Sequence, residues 1–128
     1  MPAPLFLDLD HIMRLHRSLI ERYGGMDGTR DMDLLQSAIA MPQAAYDGQC
    51  LHADVFEMAA AYLFHLVQNH PFLDGNKRTG AAAAIVFLAI NDIQIDNDEE
   101  GLVQLTLSVA TGQSAKGEIA DFFRSHVQ

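Results

Sequence analysis

Cysteine, basic residues and long apolar runs are all scarce in this sequence of 128 residues. Cys50 is the single cysteine, which excludes an internal disulfide framework and a cysteine-rich metal site and favours a reducing environment. The most apolar stretch, residues 81–90, is too short to span a bilayer, which takes about 20 residues. Residues 1–8 lack the basic start and long apolar run of a signal peptide. We therefore expect a cytoplasmic protein without a membrane span.

Positive charge is sparse as well. The chain carries 8 lysines and arginines against 17 aspartates and glutamates, a formal net charge of -9. Binding to nucleic acid or to an acidic membrane depends on clustered basic residues that neutralise phosphates, so we expect neither partner. A small anion responds instead to the local field of its pocket, and ATP is therefore not excluded. The adjacent Lys77 and Arg78 oppose the acidic trend.

Apolar residues recur at helical spacing through most of the chain, and no segment shows sustained two-residue alternation. No Pro/Gly/Ser-rich linker divides the sequence, and 49% hydrophobic residues are enough for one core. The sequence therefore predicts a single all-α domain over residues 1–128, with a turn at Asp47-Gly48 in the connection 43–53. The predicted helices begin at Asp8 or Asp10, Asp31 or Asp33, Asp54, Asn76, Asp96 or Asp98, and Ser114, and the first five end near Tyr23, Pro42, Asn69, Asn91 and Gly112.

The segment from His70 to Gly80 joins the two most apolar predicted helices and concentrates the chemistry of the chain. The start of a helix exposes unpaired N–H groups and a positive dipole end, which favour an anion. Lys77 and Arg78 would oppose the dipole in that first turn, a conflict that is expected where an anion must be held. Gly75 would let the backbone approach a ligand closely. This combination predicts a binding site for phosphate groups.

Two further side chains of this segment suit catalysis. His70 is the residue type best suited to proton transfer near neutral pH, and Asp74 offers carboxylate oxygens to Mg²⁺. Each residue alone also has an ordinary structural explanation, such as a common turn at Asp74-Gly75 or a helix cap at Asn76. Phe72 is expected to anchor the loop in the core. His65 lies five residues before His70, which is not the spacing of a zinc pair, so we expect a core or interface histidine there.

The pattern His70-x-Phe72-x-Asp74-Gly75-Asn76-Lys77-Arg78 resembles the signature of the Fic/Doc family. Lys77 and the following Thr79 are similar to its death-on-curing (Doc) branch, and so are residues 22–25, 28–31, 34–38 and 111–112. The resemblance implies a compact, Fic-like helical bundle whose active loop lies between two central helices.

The resemblance also implies a role for each residue of the pattern. His70 matches the catalytic histidine that deprotonates a target hydroxyl, and Asp74 matches an acidic residue associated with the metal. The anion-holding turn and the phosphate-binding cations correspond to Gly75, Asn76, Lys77 and Arg78. Lys77 stands where AMP-transferring Fic enzymes have glycine, and Ala81 where they have a second arginine. In the Doc branch this goes with transfer of the γ-phosphate, so Lys77 is assigned both to phosphate binding and to catalysis.

The family thus implies a kinase that uses ATP and Mg²⁺ to phosphorylate a threonine of elongation factor Tu and so arrests translation. It also implies a small antitoxin that neutralises the toxin through a segment folded into a groove. Two alternatives stay open: a Fic-type adenylyltransferase that moves AMP to a protein hydroxyl, and a non-catalytic module that binds phosphate or nucleotide. Ser114-x-x-x-Glu118 resembles the self-inhibitory helix of the family, but Ile119 breaks that pattern and we interpret it as structural.

Overall fold

Six α-helices make up most of the computed structural model, which describes residues 3–128. The all-α prediction is confirmed, and no helix within the described residues is both long and apolar enough to cross a bilayer. Met1 and Pro2, which belong to the segment expected to lack a signal peptide, lie outside the described residues. The helices are α1 (Leu9–Tyr23), α2 (Met32–Ala40), α3 (Val55–Asn69), α4 (Asn76–Ile90), α5 (Glu99–Ala110) and α6 (Lys116–Ser125).

Aspartates begin four of these helices. In each case a carboxylate oxygen accepts a hydrogen bond of 2.9–3.0 Å from the main-chain N–H three residues later. This bond satisfies one of the N–H groups that the first turn leaves open, and the negative charge interacts favourably with the helix dipole. Among the alternatives predicted from the sequence, the structure selects the first aspartate in α1 and α2 and the later one in α5. The capping residues are Asp8, Asp31, Asp54 and Asp98.

Two predicted caps are wrong. Gly75, not Asn76, is the N-cap of α4, and Asn76 is the first helical residue. Ala115, not Ser114, is the N-cap of α6, because the Ser114 hydroxyl is hydrogen-bonded to Ser108 at 2.7 Å and to the Glu118 carboxylate at 3.3 Å. In both cases a side chain of suitable type has partners elsewhere in the fold.

A small antiparallel hairpin lies between α2 and α3, after a 3-10 turn at Met41–Gln43. Its strands, β1 (Ala45–Tyr46) and β2 (Gln49–Cys50), pair with Ala45 opposite Cys50. The predicted turn at Asp47-Gly48 is confirmed, and both residues have positive φ as a tight hairpin turn requires. Strands of two residues are too short to show alternation, so no strand could be predicted here from the sequence.

Helix α3, one of the two most apolar predicted helices, forms the centre of the core, and eight of its residues are buried. Helix α4 packs closely against it at Gly80. A Cβ atom on Gly80 would lie 3.0 Å from Val67 Cγ2 and 3.1 Å from the Leu63 carbonyl oxygen. Because both helices are fixed in the core, the loop 70–75 between them is held at both ends.

Candidate active site

The loop begins where α3 ends, at His70. This residue adopts the left-handed conformation, with φ 49° and ψ 53°, and its side chain is exposed. Pro71 follows and prevents the helix from continuing. Phe72 is 1% exposed, which confirms its predicted role as the anchor of the loop. The His70 imidazole is therefore exposed, whereas the Phe72 ring two residues later is buried in the core.

Residues 28–31 form a second chain segment that runs beside the loop. The Arg30 and Asp31 N–H groups both donate to the Pro71 carbonyl, at 2.7 and 3.0 Å, and the Leu73 N–H donates to the Gly28 carbonyl at 3.0 Å. These are strand-like hydrogen bonds between segments about 40 positions apart in sequence. They fix the main chain of the loop from the outside.

Asn76 fixes the loop from the inside. Its Oδ1 accepts the Phe72 N–H at 2.8 Å, and its Nδ2 donates to the Phe72 carbonyl at 3.0 Å. The side chain is 4% exposed, so it turns back to the loop rather than capping α4. This explains the wrong cap prediction, because both ends of the amide are already hydrogen-bonded to Phe72. Gly75, with φ 81°, makes the left-handed turn into the helix.

His16 supports the loop from beneath. Its ring stacks on Phe72 with a centroid distance of 3.7 Å and an interplanar angle of 6°. Its Nε2–H donates to the Asp74 carbonyl at 2.8 Å, which fixes the tautomer because a carbonyl only accepts. His16 was not among the predicted site residues, because its partner Asp74 lies 58 positions away in the sequence.

The Asp74 carboxylate is exposed, and two main-chain hydrogen bonds orient it. Met26 N–H donates to Oδ2 at 3.2 Å and Gly75 N–H to Oδ1 at 2.8 Å, and these bonds hold the pKa of Asp74 below its usual range. A Cβ atom on Gly25 would lie 2.7 Å from Oδ2, so this glycine permits the close approach. The carboxylate is therefore ionised at neutral pH and keeps lone pairs for a cation.

Lys77 and Arg78 extend from the first turn of α4, and both side chains are exposed. Within residues 3–128 neither forms a salt bridge. The Arg78 guanidinium lies 4.4 Å from the centroid of the Tyr23 ring, a cation–π contact that orients it. Two positive charges at an open helix N-terminus create a local field that attracts anions.

All the predicted site residues line one cleft of about 530 Å³. His70, Asp74 and residues 75–78 form one side, together with Ala81. The remaining wall of the cleft comes from α1, α4 and α5. It is largely apolar but includes Thr106 and the acidic Glu99, and the sequence did not reveal it. Its apolar members are Leu19, Tyr23, Ala82, Leu102, Val103 and Leu107. Gln68 does not line the cleft, since its Nε2 donates to the Val109 carbonyl and ties α3 to α5.

A cluster of two histidines and a lysine lies apart from the cleft, where α3 and α6 meet. The Lys116 ammonium contacts Nε2 of His65 at 3.1 Å and Nε2 of His52 at 3.4 Å. Burial, and then the neighbouring Lys116 charge, lower the pKa of His65 to about 4. His65 is thus a neutral, partly buried histidine between α3 and α6 that lies outside the hydrophobic core, and its role at an interface stays a prediction.

The fold and the cleft together define a helical domain that carries a histidine, a carboxylate and two cations at the joint of its central helices. Residues 6–88 match the Fic/DOC family. The chain is 35% identical over 115 residues to "Protein kinase doc" of Escherichia phage P1, which covers 90% of each protein. It is 41% identical over 106 residues to "Toxin Doc" of Mycolicibacterium smegmatis, covering 78% of this chain and 82% of that protein. The chain belongs to the Fic/DOC family, and its resemblance to the Doc branch is confirmed.

Proposed function

We propose that this protein is a toxin-type kinase that transfers the γ-phosphate of ATP to a threonine hydroxyl of a translation factor. The observation that carries the proposal is the meeting of His70, Asp74 and the Lys77-Arg78 pair in one cleft. The relative from phage P1 is named a protein kinase, which supports the same reaction class. The Doc branch implies elongation factor Tu as the target, in a cytoplasmic setting.

The start of α4 would hold the phosphates. Its first N–H groups are open, Gly75 leaves space beside them, and Lys77 and Arg78 supply charge. Ala81 lines the cleft where an AMP-transferring enzyme would have an arginine, so the positive charge is concentrated at residues 77 and 78. That distribution favours the terminal phosphate as the group presented for transfer. Lys77 would also stabilise the charge that develops on it.

His70 would act as the general base. Its imidazole is exposed at the cleft, where an incoming threonine hydroxyl can reach it. The imidazole takes the hydroxyl proton while the threonine oxygen bonds to the γ-phosphorus and the bond from that phosphorus to the oxygen of ADP breaks. The products are phosphothreonine, ADP and a protonated His70.

Asp74 is the residue that would hold Mg²⁺. Its ionised carboxylate accepts one main-chain bond on each oxygen and has further lone pairs available. Mg²⁺ keeps several waters and uses one or two carboxylates plus substrate phosphates, so a single aspartate fits this ion. When bound, the ion would neutralise charge on the phosphates.

The antitoxin partner implied by the Doc branch would neutralise the toxin by covering the apolar wall of the cleft.

Labelled ATP tests the reaction class. The purified protein is incubated with elongation factor Tu, or with cell extract, and ATP labelled at the α or the γ position. Label from γ alone on the target supports the kinase, whereas label from α identifies AMP transfer. Transfer of neither label, with ATP still bound, would identify a binding module.

His70→Ala tests the role of the base. We expect the transfer rate to fall by about a hundred- to ten-thousand-fold with the fold unchanged. His11→Ala is the matched control, because His11 is exposed on α1 and does not line the cleft. A folded His70→Ala protein with full activity would contradict the assignment.

A further inference from the structure

The C-terminal end of α3 leaves main-chain carbonyl groups in need of donors. A helix commonly ends on a left-handed glycine, followed by residues whose N–H groups bond back to the last turn. Here the left-handed residue is His70, which has a Cβ and strains the main chain, and Pro71 has no N–H to offer. Something else must hold His70 in this conformation.

Arg30 meets this need. Its Nε–H donates to the His70 carbonyl at 2.7 Å and its Nη2–H donates to the Asn69 carbonyl at 2.9 Å. A guanidinium carries these two donors in a rigid, planar arrangement, and its charge interacts favourably with the negative end of the helix dipole. The Arg30 main chain is itself fixed, because its N–H donates to the Pro71 carbonyl.

The Arg30 charge has no other task in the structure. Within residues 3–128 its guanidinium forms no salt bridge, and Arg30 does not line the cleft. It is therefore not one of the cleft residues that would contact ATP or the target hydroxyl in the proposed function. In the described part of the chain, the hydrogen bonds of its side chain go only to the main-chain carbonyls of His70 and Asn69.

We propose that Arg30 is a positioning residue for His70: its guanidinium fixes the left-handed main chain that presents the imidazole to the cleft. The kinetic part of this inference rests on the proposed function, since it takes His70 as the base. A displacement of about 1 Å in a reacting group can cost about a hundredfold in rate. Loss of the guanidinium should therefore reduce the rate of transfer without weakening the binding of ATP.

The test compares Arg30→Met, Arg30→Lys and the control Arg14→Met in the full chain. Arg14 is an exposed arginine paired with Asp10 on α1, away from the cleft. NMR of the His70 Cα and Cβ shifts, recorded without nucleotide, reports the left-handed conformation directly. Transfer assays then give kcat and the KM for ATP, and circular dichroism confirms the helical content of each variant.

We expect Arg30→Met to shift the His70 resonances and to lower kcat about a hundredfold with an unchanged KM. Arg30→Lys can satisfy one carbonyl at a time and should fall between wild type and Arg30→Met, while Arg14→Met matches wild type. Unchanged His70 shifts in Arg30→Met, or a rise in KM with kcat intact, would overturn the inference. Should Arg30→Met not fold, Arg30→Lys provides the same comparison. If wild type transfers no phosphate, the proposed function fails, and the NMR comparison still decides whether Arg30 holds His70.

Discussion

Substitution of Asn76 by alanine tests how the loop is held. The two hydrogen bonds between Asn76 and the Phe72 main chain are worth about 1 kcal/mol each, and the buried Phe72 groups left without partners add about 1 to 2 kcal/mol. Alanine regains roughly 0.5 kcal/mol through its higher helix propensity. We therefore expect the free energy of unfolding to fall by about 3 kcal/mol, or Tm by roughly ten degrees for a domain of this size.

Urea denaturation followed by circular dichroism measures this loss. Asn69→Ala is the matched control, because Asn69 is half-buried and its Nδ2 donates one hydrogen bond, to the Leu34 carbonyl within α2. That carbonyl has a helical partner of its own, so the control should lose about 1 kcal/mol or less. Equal losses in the two variants would show that Phe72 finds other partners and that Asn76 does not hold the loop.

Two further predictions concern packing and pH. Gly80→Ala should lower the unfolding free energy by about 1 kcal/mol, because its Cβ would lie 3.1 Å from the Leu63 carbonyl oxygen. Gly117→Ala is the control: its Cβ would meet open space, so the substitution should raise the unfolding free energy by about 0.5 to 1 kcal/mol. Thermal melts in which both variants shift stability in the same direction would contradict this. His65 has a folded pKa of about 4 against an ordinary 6.5, so the unfolded chain alone takes up a proton between these values and stability falls on acidification through that window. His65→Gln should reduce that loss of stability by about 1 to 2 kcal/mol, which is less than the whole pKa difference would give because the ring is partly exposed. Urea midpoints that change between pH 7 and pH 4 by the same amount in the variant and in wild type would refute this.

The elements and the cleft residues that could be predicted from the sequence depend on local signals. Aspartate caps, Gly24 at the end of α1 and Pro71 after α3 act within a few residues of the helix ends that they define. The residues from His70 to Arg78 are contiguous, so the turn and the following helix bring them together without any distant contact. Their individual roles stay predictions until transfer is measured.

The supports of the loop could not be predicted in this way. Arg30 is 40 residues from His70 in sequence, and His16 is 58 residues from Asp74. The apolar wall supplied by α5 likewise shows only an ordinary amphipathic pattern in the sequence. The predicted caps at Asn76 and Ser114 were wrong for a related reason. Their side chains hydrogen-bond to Phe72 and to Ser108 instead of capping the nearest helix.

These supports divide the loop into a fixed main chain and free side chains. Main-chain groups from His70 to Asp74 are hydrogen-bonded to α1, to residues 28–31 and to Asn76, whereas the side chains of His70, Lys77 and Arg78 are exposed. A backbone held from three directions loses little further entropy when a ligand binds, so binding energy is not consumed in ordering the site. Among the residues that line the cleft, the acidic ones are Asp74 and Glu99. The acidic residues outside it act weakly on a bound anion, because exposed charges beyond about 8 Å are largely screened, whereas Lys77 and Arg78 act at contact distance.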